Sequence, residues 1–186
     1  MHQPVLPNES IELLQPHKGR YFIDATVDGG GHAKALLGRM KKDGILVGID
    51  QDDEMLRRAK KRLRDKRFRG IYGNFARIEN ITKPFFKKAD GILFDLGLSS
   101  IQLETSGRGF AFQKNEPLDM RYDPHGSFTA ENALNSLRED EIADLIWKYG
   151  EERFARRIAK KIIEARAINP IQTTFDLVSI IEKAVP

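Results

Sequence analysis

The sequence lacks cysteine, contains a single tryptophan and has no long apolar run. The lack of cysteine excludes a disulfide framework, a zinc–thiolate site, an iron–sulfur cluster and a cysteine nucleophile. No apolar segment approaches the ~20 residues that a membrane-spanning helix needs. Residues 1–7 also lack the charged-then-apolar layout of a signal peptide. We therefore expect a soluble, cytoplasmic protein with no membrane partner.

Length and charge describe an ordinary globular chain. It has 186 residues, of which 40% are hydrophobic and 31% charged, which suits one domain or one domain with a small appendage. Lysine and arginine number 31 against 27 aspartate and glutamate residues, so the net charge is +4. Basic residues concentrate in segments 57–69 and 153–166. Each cluster fits a binding surface for a polyanion or, equally well, a solvated helix face.

Residues 1–105 alternate strand-like and helix-like segments. Near-continuous apolar runs predict strands at 21–27, 45–50, 68–72 and 91–96, with amphipathic helices between them. This alternation predicts a parallel sheet covered on both faces, which right-handed crossovers make doubly wound. Four strands form about half of a usual sheet of this kind, so we expect an incomplete sheet with an open edge at its fourth strand.

Residues 106–186 have a different texture, so we place a domain boundary after residue 105. Glycine and proline are frequent up to about residue 128, and no periodicity is present there. Helices are expected after that point, with starts of the capping-box type at Ser136-x-x-Glu139 and Thr173-x-x-Asp176.

A glycine-rich turn follows the first predicted strand. Gly29, Gly30 and Gly31 would let a ligand approach the backbone, and the next helix would present free N–H groups to it. Asp50 ends the second strand 50 − 31 = 19 residues later, where a doubly wound nucleotide site keeps the acid that binds ribose hydroxyls. The loop alone fits a plain tight turn; loop and acid together favour a nucleoside-type cofactor.

The type of cofactor follows from charge. The pyrophosphate fingerprint G-x-G-x-x-G fails, because its last position, counted from Gly29, holds Lys34. Four aspartates fall at or just after the ends of predicted strands, which makes an electronegative crevice: Asp24, Asp28, Asp50 and Asp95. Such a crevice suits a cation and disfavours a phosphate. S-adenosylmethionine, which has a sulfonium, an ammonium and a ribose but no phosphate, therefore fits better than NAD.

Asp95 is the candidate catalytic residue. It lies at the end of the fourth predicted strand, and no lysine, histidine or tyrosine lies between it and Gln102. The exocyclic amine of cytosine is a poor nucleophile, and a carboxylate that accepts a hydrogen bond from it would favour attack on a methyl group. Asp95 could equally cap the following turn or only contact the cofactor.

Single residues elsewhere carry weaker indications. His32 has no second histidine at ligand spacing, so we expect no metal site and interpret it as a cofactor contact at the start of a helix. Trp147 and Tyr149 lie among apolar residues, and we expect at least one of them in the core.

Several motifs follow one another in the order of a known family. They are His2-x-Pro4-Val5-Leu6, the glycine loop with His32, Gly48-Ile49-Asp50, the run Asp90 to Leu103, Arg108-Gly109-Phe110, Pro117-Leu118-Asp119-Met120-Arg121, Tyr149-Gly150-Glu151-Glu152-Arg153 and Thr173-Thr174. In these motifs the chain resembles the 16S ribosomal RNA (cytosine-N4) methyltransferases, the RsmH or MraW family, over essentially all 186 residues.

The resemblance implies an enzyme that uses S-adenosylmethionine to methylate N4 of a cytosine in 16S ribosomal RNA of the small ribosomal subunit. It implies a Rossmann-like class I methyltransferase fold for residues 1–105, with an α-helical insertion for substrate recognition in residues 106–186, and it leaves a homodimer open. The implied cofactor contacts are Gly30, Gly31, His32, Asp50, Phe75, Asp95 and Gln102. Arg108 and Arg121, beside the active loop, are the expected substrate contacts.

Two departures from the family pattern are present. Asp28 stands where members of the family usually have the first loop glycine, and the family's later segments are absent from the chain. Two other functions remain open: a non-catalytic RNA- or ribosome-binding remnant, and a small-molecule methyltransferase, for which the two basic clusters would serve no purpose.

Overall fold

The structure, a computed structural model, describes residues 4–186 and divides into two compact units, 1–99 and 100–186. The division falls six residues before the domain boundary that the sequence suggests at residue 105. The functions expected of the two parts, cofactor binding for residues 1–105 and substrate recognition for residues 106–186, stay predictions. His2, the first residue of the family motifs, lies outside the described residues.

The first unit contains a four-stranded, fully parallel sheet in the order β3-β2-β1-β4. Its elements are α1 (Pro7–Leu14), β1 (Tyr21–Asp24), α2 (Gly31–Arg39), β2 (Ile45–Asp50), α3 (Asp53–Leu63), β3 (Phe68–Tyr72), a 3-10 turn (Phe75–Arg77), α4 (Ile78–Thr82) and β4 (Gly91–Leu93). The α/β class, the parallel sheet and its four strands are confirmed. This order is that of a Rossmann-like doubly wound sheet, in which the direction of winding reverses between β1 and β4.

The sheet is covered on both faces because neighbouring residues of a strand point to opposite sides. Phe22 and Leu46 pack with α2 and α3 in one cluster of buried residues. Ile23 and Val47, the next residue on each strand, pack with Phe86 in another. Both faces of the two central strands are therefore buried, which explains their continuous apolar sequence.

The fourth strand is shorter than the sequence suggests. It pairs with β1 only through residues 91–93, and the chain then leaves the sheet. Ile92, Phe94 and Leu96 are exposed. Among the described residues, β4 has a partner on one side only, so the open edge that the sequence predicts at the fourth strand is observed.

The second unit is helical after an irregular segment. It contains α5 (Ser100–Thr105), α6 (Ala130–Ser136), α7 (Glu139–Gly150), α8 (Ala155–Arg166) and α9 (Thr174–Ala184). Its core is formed mainly by α7, α8 and α9, and Leu118 of the irregular segment and Ile171 join it. Within residues 4–186, no helix has the length and apolar character needed to cross a membrane.

One predicted capping box is confirmed and the other is wrong. Thr173 begins α9, where its hydroxyl accepts a hydrogen bond from Asp176 N at 3.3 Å and Asp176 accepts one from Thr173 N at 2.9 Å. Ser136 instead ends α6, with its hydroxyl donating to Asn132 O at 2.6 Å. The helix α7 begins after Arg138, whose N–H donates to Glu141 at 2.8 Å.

The expectation that Trp147 or Tyr149 packs in the core is also wrong. Trp147 is 61% exposed and Tyr149 is 72% exposed. The core side of α7 is set by Ile142, Ala143 and Ile146. Successive residues of a helix are about 100° apart around its axis, so Trp147, which follows Ile146, points away from the buried side.

Candidate cofactor and catalytic site

Asp24 ends β1 in the interior of the first unit. It is fully buried, and its Oδ1 accepts a hydrogen bond from Thr26 N at 3.3 Å. Its Oδ2 is buried without a hydrogen-bond partner among the described residues. Burial, and to a smaller extent the charges of Asp50, Asp95 and Asp28, raise the pKa of Asp24 to about 7, although the hydrogen bond from Thr26 N lowers it. Asp24 therefore carries a proton for part of the physiological pH range and has one oxygen available to a donor or a cation.

Asp50 ends β2 beside the glycine loop. Its Oδ2 accepts a hydrogen bond from Asp28 N at 2.8 Å, and its Oδ1 accepts one from Asp52 N at 2.8 Å. Burial raises the pKa of Asp50 to about 6, although the two N–H groups counteract it. Each carboxylate oxygen has a second lone pair, so the side chain can still accept hydrogen bonds from a bound ligand.

The glycine loop contains residues in the left-handed backbone conformation and packs closely against α3. Asp28 has a φ of 43° and Gly30 a φ of 79°, both in the left-handed region. Asp28 thus makes the turn without the glycine usual in the family, because aspartate tolerates this region better than most residues. A Cβ on Gly30 would lie 3.3 Å from Ala59 of α3, so a side chain there would also crowd the contact of the loop with that helix. Gly31 follows as the first residue of α2.

His32 and Asp95 lie together, although they come from the start of α2 and the segment after β4. His32 Nε2 is 3.4 Å from Asp95 Oδ2. The His32 side chain is almost fully buried and its Nδ1 has no hydrogen-bond partner among the described residues, whereas about a third of the Asp95 side chain is exposed. Asp95 N donates to Thr26 Oγ1 at 2.7 Å, which fixes the loop after β4 to the loop after β1. Asp95 therefore has a fixed backbone and an accessible carboxylate.

Phe75 lies after β3 and forms one side of the same edge of the sheet. Its ring makes an edge-to-face contact with Phe94, with the ring centroids 5.6 Å apart and the planes at 85°. The preceding Asn74 accepts a hydrogen bond from Ala76 N at 2.8 Å and donates to Gln51 at 3.1 Å. Phe75 is held in place by these contacts and remains partly exposed.

The other three predicted site residues belong to the second unit. Gln102 is buried on α5. Arg108 donates to the carbonyls of Arg121 at 2.8 Å and Tyr122 at 3.3 Å, and its guanidinium lies 5.4 Å from the Phe110 ring. Arg121 binds the Asp119 carboxylate and the carbonyl of Gly126. Both arginines therefore hold the irregular segment together, and their predicted contact with substrate stays a prediction.

The structure brings most of the predicted site residues of the first unit to the carboxyl edge of the sheet. Sequence reasoning missed one participant, Thr26, whose hydroxyl accepts the Asp95 N–H. A threonine two residues after a strand-ending aspartate is a weak signal, because its partner is about 70 residues away. Within residues 4–186, no three or more His, Cys, Asp or Glu side chains form a group that could hold a metal ion.

The comparisons with known proteins agree with the motifs. The model of the MraW methylase family matches residues 1–186. The ribosomal RNA small subunit methyltransferase H of Syntrophotalea carbinolica is 45% identical over 188 residues, which cover 100% of this chain and 60% of that protein. The proteins of the same name from Clostridium botulinum (Loch Maree) and Geobacter sulfurreducens are each 43% identical, with the same coverage. The chain thus spans about 60% of the length of these relatives. The resemblance expected from the motifs is confirmed, and the chain belongs to the MraW methylase family.

Proposed function

We propose that this chain forms the cofactor-binding part and a substrate-binding part of an S-adenosylmethionine-dependent enzyme that methylates N4 of a cytosine in 16S ribosomal RNA. The observation that carries the proposal is the set of aspartates at the carboxyl edge of the sheet, with the unpartnered Oδ2 of Asp24 buried among them. A methylase family needs a methyl donor, and these carboxylates suit a donor that is a cation and lacks phosphate.

The residues present fit this cofactor in each of its parts. The ammonium and sulfonium carry positive charge, which the carboxylate of Asp24 attracts, and the ribose hydroxyls can donate to Asp50. The glycine loop at Gly30 and Gly31 offers backbone at close range, and the Phe75 ring offers an apolar face to the adenine. Gln102, which is buried on α5 of the second unit, is a cofactor contact on the family resemblance alone. S-adenosylmethionine supplies a methyl group activated by the positive sulfur.

We assign to Asp95 the role of acting on the amine that receives the methyl group. Its carboxylate accepts a hydrogen bond from the N4 amine, which favours the pyramidal geometry needed for attack and receives the proton that nitrogen loses on methylation. Thr26 fixes the Asp95 backbone and His32 lies against Oδ2 of its carboxylate, so we assign the contact with the amine to Oδ1. The two neighbours position Asp95, which is the catalytic residue.

Ribosomal RNA as the substrate is supported by the names of the relatives and by the exposed basic clusters. Arg57, Arg58, Lys60 and Lys61 of α3 are exposed, although Arg57 and Arg58 pair with Asp53 and Glu54. On α8, Arg156, Arg157 and Lys160 are also exposed. Arg108 and Arg121 shape the segment that would contact RNA in the second unit. An enzyme of this kind acts in the cytoplasm on the small ribosomal subunit.

Titration calorimetry of the chain with S-adenosylmethionine, S-adenosylhomocysteine and NAD tests the proposal. We expect the first two to bind and NAD to bind far more weakly. Asp50→Ala should weaken cofactor binding by the value of a charge-assisted hydrogen bond, about 1.5–3 kcal/mol. Asp43→Ala is the matched control, because Asp43 is exposed and pairs only with Arg20 at 2.7 Å as far as the described contacts go. Equal affinity for NAD, or an unchanged affinity in Asp50→Ala, would contradict the assignment, and no cofactor binding at all would favour the non-catalytic remnant.

A further inference from the structure

The four segments that lead into the strands of the sheet carry the chain's excess of positive charge. They are residues 15–20, 40–44, 64–67 and 87–90, and together they contain nine lysine or arginine residues against three aspartates. Their net charge is therefore 9 − 3 = +6, which exceeds the +4 of the whole chain. Because the strands are parallel, these segments lie at the amino edge of the sheet, opposite the aspartates of the candidate cofactor site. The first unit is thus positive at one edge and negative at the other.

The segments before β1, β2 and β4 are held side by side. Lys41 Nζ donates to Lys18 O at 3.1 Å. Asp90 Oδ2 accepts hydrogen bonds from Arg20 N at 2.7 Å and from the next N–H of β1 at 2.9 Å. These hydrogen bonds lower the pKa of Asp90, and the nearby charges of Lys41 and Lys88 lower it further. Lys41 and Lys88, which precede different strands, therefore lie near the same carboxylate.

Arg67 joins the segment before β3 to this row. Its guanidinium donates to Leu37 O at 2.8 Å and to Met40 O at 3.0 Å, at the C-terminal end of α2. Neighbouring strands of a sheet are about 4.8 Å apart, so the four segments form a row about 14 Å long.

Helix stability does not explain the exposed lysines of the row. We call them the amino-edge lysines: Lys18, Lys41, Lys42, Lys66, Lys87 and Lys88. A cation stabilises the C-terminus of a helix only within about the last turn. Lys87 and Lys88 lie beyond that reach of α4, which ends at Thr82. Lys41 and Lys42 follow α2, but Arg67 already binds the carbonyls at the end of that helix.

Two of the three aspartates of the row pair with arginine. Asp43 binds Arg20 at 2.7 Å and Asp65 binds Arg67 at 2.6 Å. Within the part of the chain that the structure describes, no ion pair includes an amino-edge lysine. Six positive charges are therefore exposed in a row without an ion-pair partner.

The surroundings of these lysines suit the phosphates of an RNA double helix. Within the four segments, no phenylalanine, tyrosine or tryptophan is exposed on which an unpaired base could stack, and no large apolar side chain is exposed to enter a bilayer. Double-helical RNA keeps its bases paired and is recognised mostly by shape and through its backbone. The aspartates repel phosphate, so such a contact is confined to the amino edge.

We propose that the amino-edge lysines bind the phosphate backbone of double-helical RNA, at the end of the sheet opposite the candidate cofactor site. The inference rests on the proposed function in one respect only, that RNA is the macromolecular partner. The strand β2 has six residues, so its two ends are about 20 Å apart. The duplex bound at the amino edge is therefore a part of the RNA away from the target cytosine.

Salt dependence measures the phosphate contacts directly. A fluorescein-labelled RNA hairpin of about 16 base pairs is titrated with the chain, and anisotropy is followed from about 50 to about 200 mM KCl. Lys42→Gln combined with Lys88→Gln should weaken binding and reduce the slope of log K against log salt concentration by about 2, one phosphate contact per lysine. The control combines Lys148→Gln with Lys183→Gln, which removes the same charge from exposed lysines of α7 and α9. We expect the control to keep the slope of the parent, and equal slopes of the two double variants would overturn the proposal.

A second measurement uses the parent chain alone. The lysines are acetylated with and without the bound hairpin, and mass spectrometry reads the extent of modification at each one. We expect the hairpin to protect the amino-edge lysines and to leave Lys148 and Lys183 reactive. Amino-edge lysines that stay fully reactive with the hairpin bound would overturn the proposal. So would tighter binding of unstructured oligo(U) through the same lysines, or binding of these lysines to anionic phospholipid vesicles without binding of the hairpin.

Calorimetry with S-adenosylhomocysteine keeps this proposal separate from the proposed function. The variant with Lys42→Gln and Lys88→Gln should bind S-adenosylhomocysteine as the parent does, because both lysines lie at the edge opposite the cofactor site. Cofactor binding that persists while the hairpin experiments fail removes only the amino-edge site. Absence of cofactor binding in the parent chain removes the proposed function.

Discussion

Replacing Asp24 by asparagine should flatten the dependence of the protein's stability on pH. Burial, together with three neighbouring carboxylates, raises the pKa of Asp24 from 3.8 in the unfolded chain to about 7 in the folded state. Between these two values the folded protein binds more protons than the unfolded chain does. The stability that protonated Asp24 contributes is therefore complete below about pH 4 and is lost as the pH rises through about 7.

The size of the effect follows from the difference in pKa. One unit corresponds to 1.36 kcal/mol, so a difference of about 3 units is worth about 4 kcal/mol in total, of which about 2–3 kcal/mol falls between pH 5 and 8. Asparagine does not titrate, and its oxygen can still accept the hydrogen bond from Thr26 N. Burying its amide group costs ~1–3 kcal/mol, but this cost is the same at every pH. As the pH rises, the free energy of unfolding of the variant should therefore increase relative to that of the parent.

Urea unfolding of the parent, Asp24→Asn and Asp43→Asn at several pH values from 5 to 8 measures this gain. Asp50, whose pKa burial raises to about 6, is present in all three proteins, so its contribution largely cancels in the comparison. Asp43→Asn should run parallel to the parent. If Asp24→Asn also runs parallel to the parent over this range, Asp24 does not hold a proton near neutrality, and the description of the crevice as an acidic, desolvated site is wrong.

Two further predictions concern the cofactor and the chemistry. A cation favours the ionised form of Asp24, so the affinity for S-adenosylmethionine should rise as the pH increases from about 5 to about 8, with protons released on binding. Calorimetry in buffers of different ionisation enthalpy measures the proton release. An equally steep rise of affinity with pH in Asp24→Asn would contradict the prediction. In the longer context that the relatives have, Asp95→Ala should lower single-turnover methylation at saturating cofactor by ~10²-fold or more, and Asp95→Asn by less, because the amide oxygen still accepts a hydrogen bond. A parent-like rate in Asp95→Ala would leave Asp95 as a cofactor contact only.

The strand β2 could be predicted because it is buried on both faces, and it has the bounds that its apolar run suggests, 45–50. The edge strand β3 also has its expected bounds, 68–72, although most of its residues are not buried. The segment 91–96 is just as apolar, but only its first half pairs with β1, because the partner strand itself ends at Asp24. Pairing depends on the neighbour as much as on the strand, so its extent could not be predicted from the segment alone.

The site shows the same division between local and long-range information. The strand-end aspartates could be placed together because the carboxyl ends of parallel strands meet at one edge of the sheet. The contact of His32 with Asp95 and the hydrogen bond of Asp95 to Thr26 depend on how two loops fold against each other, and no local pattern encodes that. The prediction that Ser136 begins a helix was wrong for a similar reason. The capping-box pattern is present in the sequence, but Ser136 is the last residue of the preceding helix, α6.

The protonation of Asp24 connects the stability of the ligand-free protein with the choice of ligand. Four ionised aspartates at one edge of a sheet would repel one another, and a buried unpaired carboxylate is costly. The raised pKa of Asp24 reduces that repulsion in the ligand-free state by holding a proton. A bound cation removes the need for that proton and compensates the remaining charges, whereas a phosphate would add to the repulsion. If the cofactor is the cation that we propose, the same feature that lowers stability at high pH favours its binding, and that binding should stabilise the fold most where the ligand-free protein is weakest.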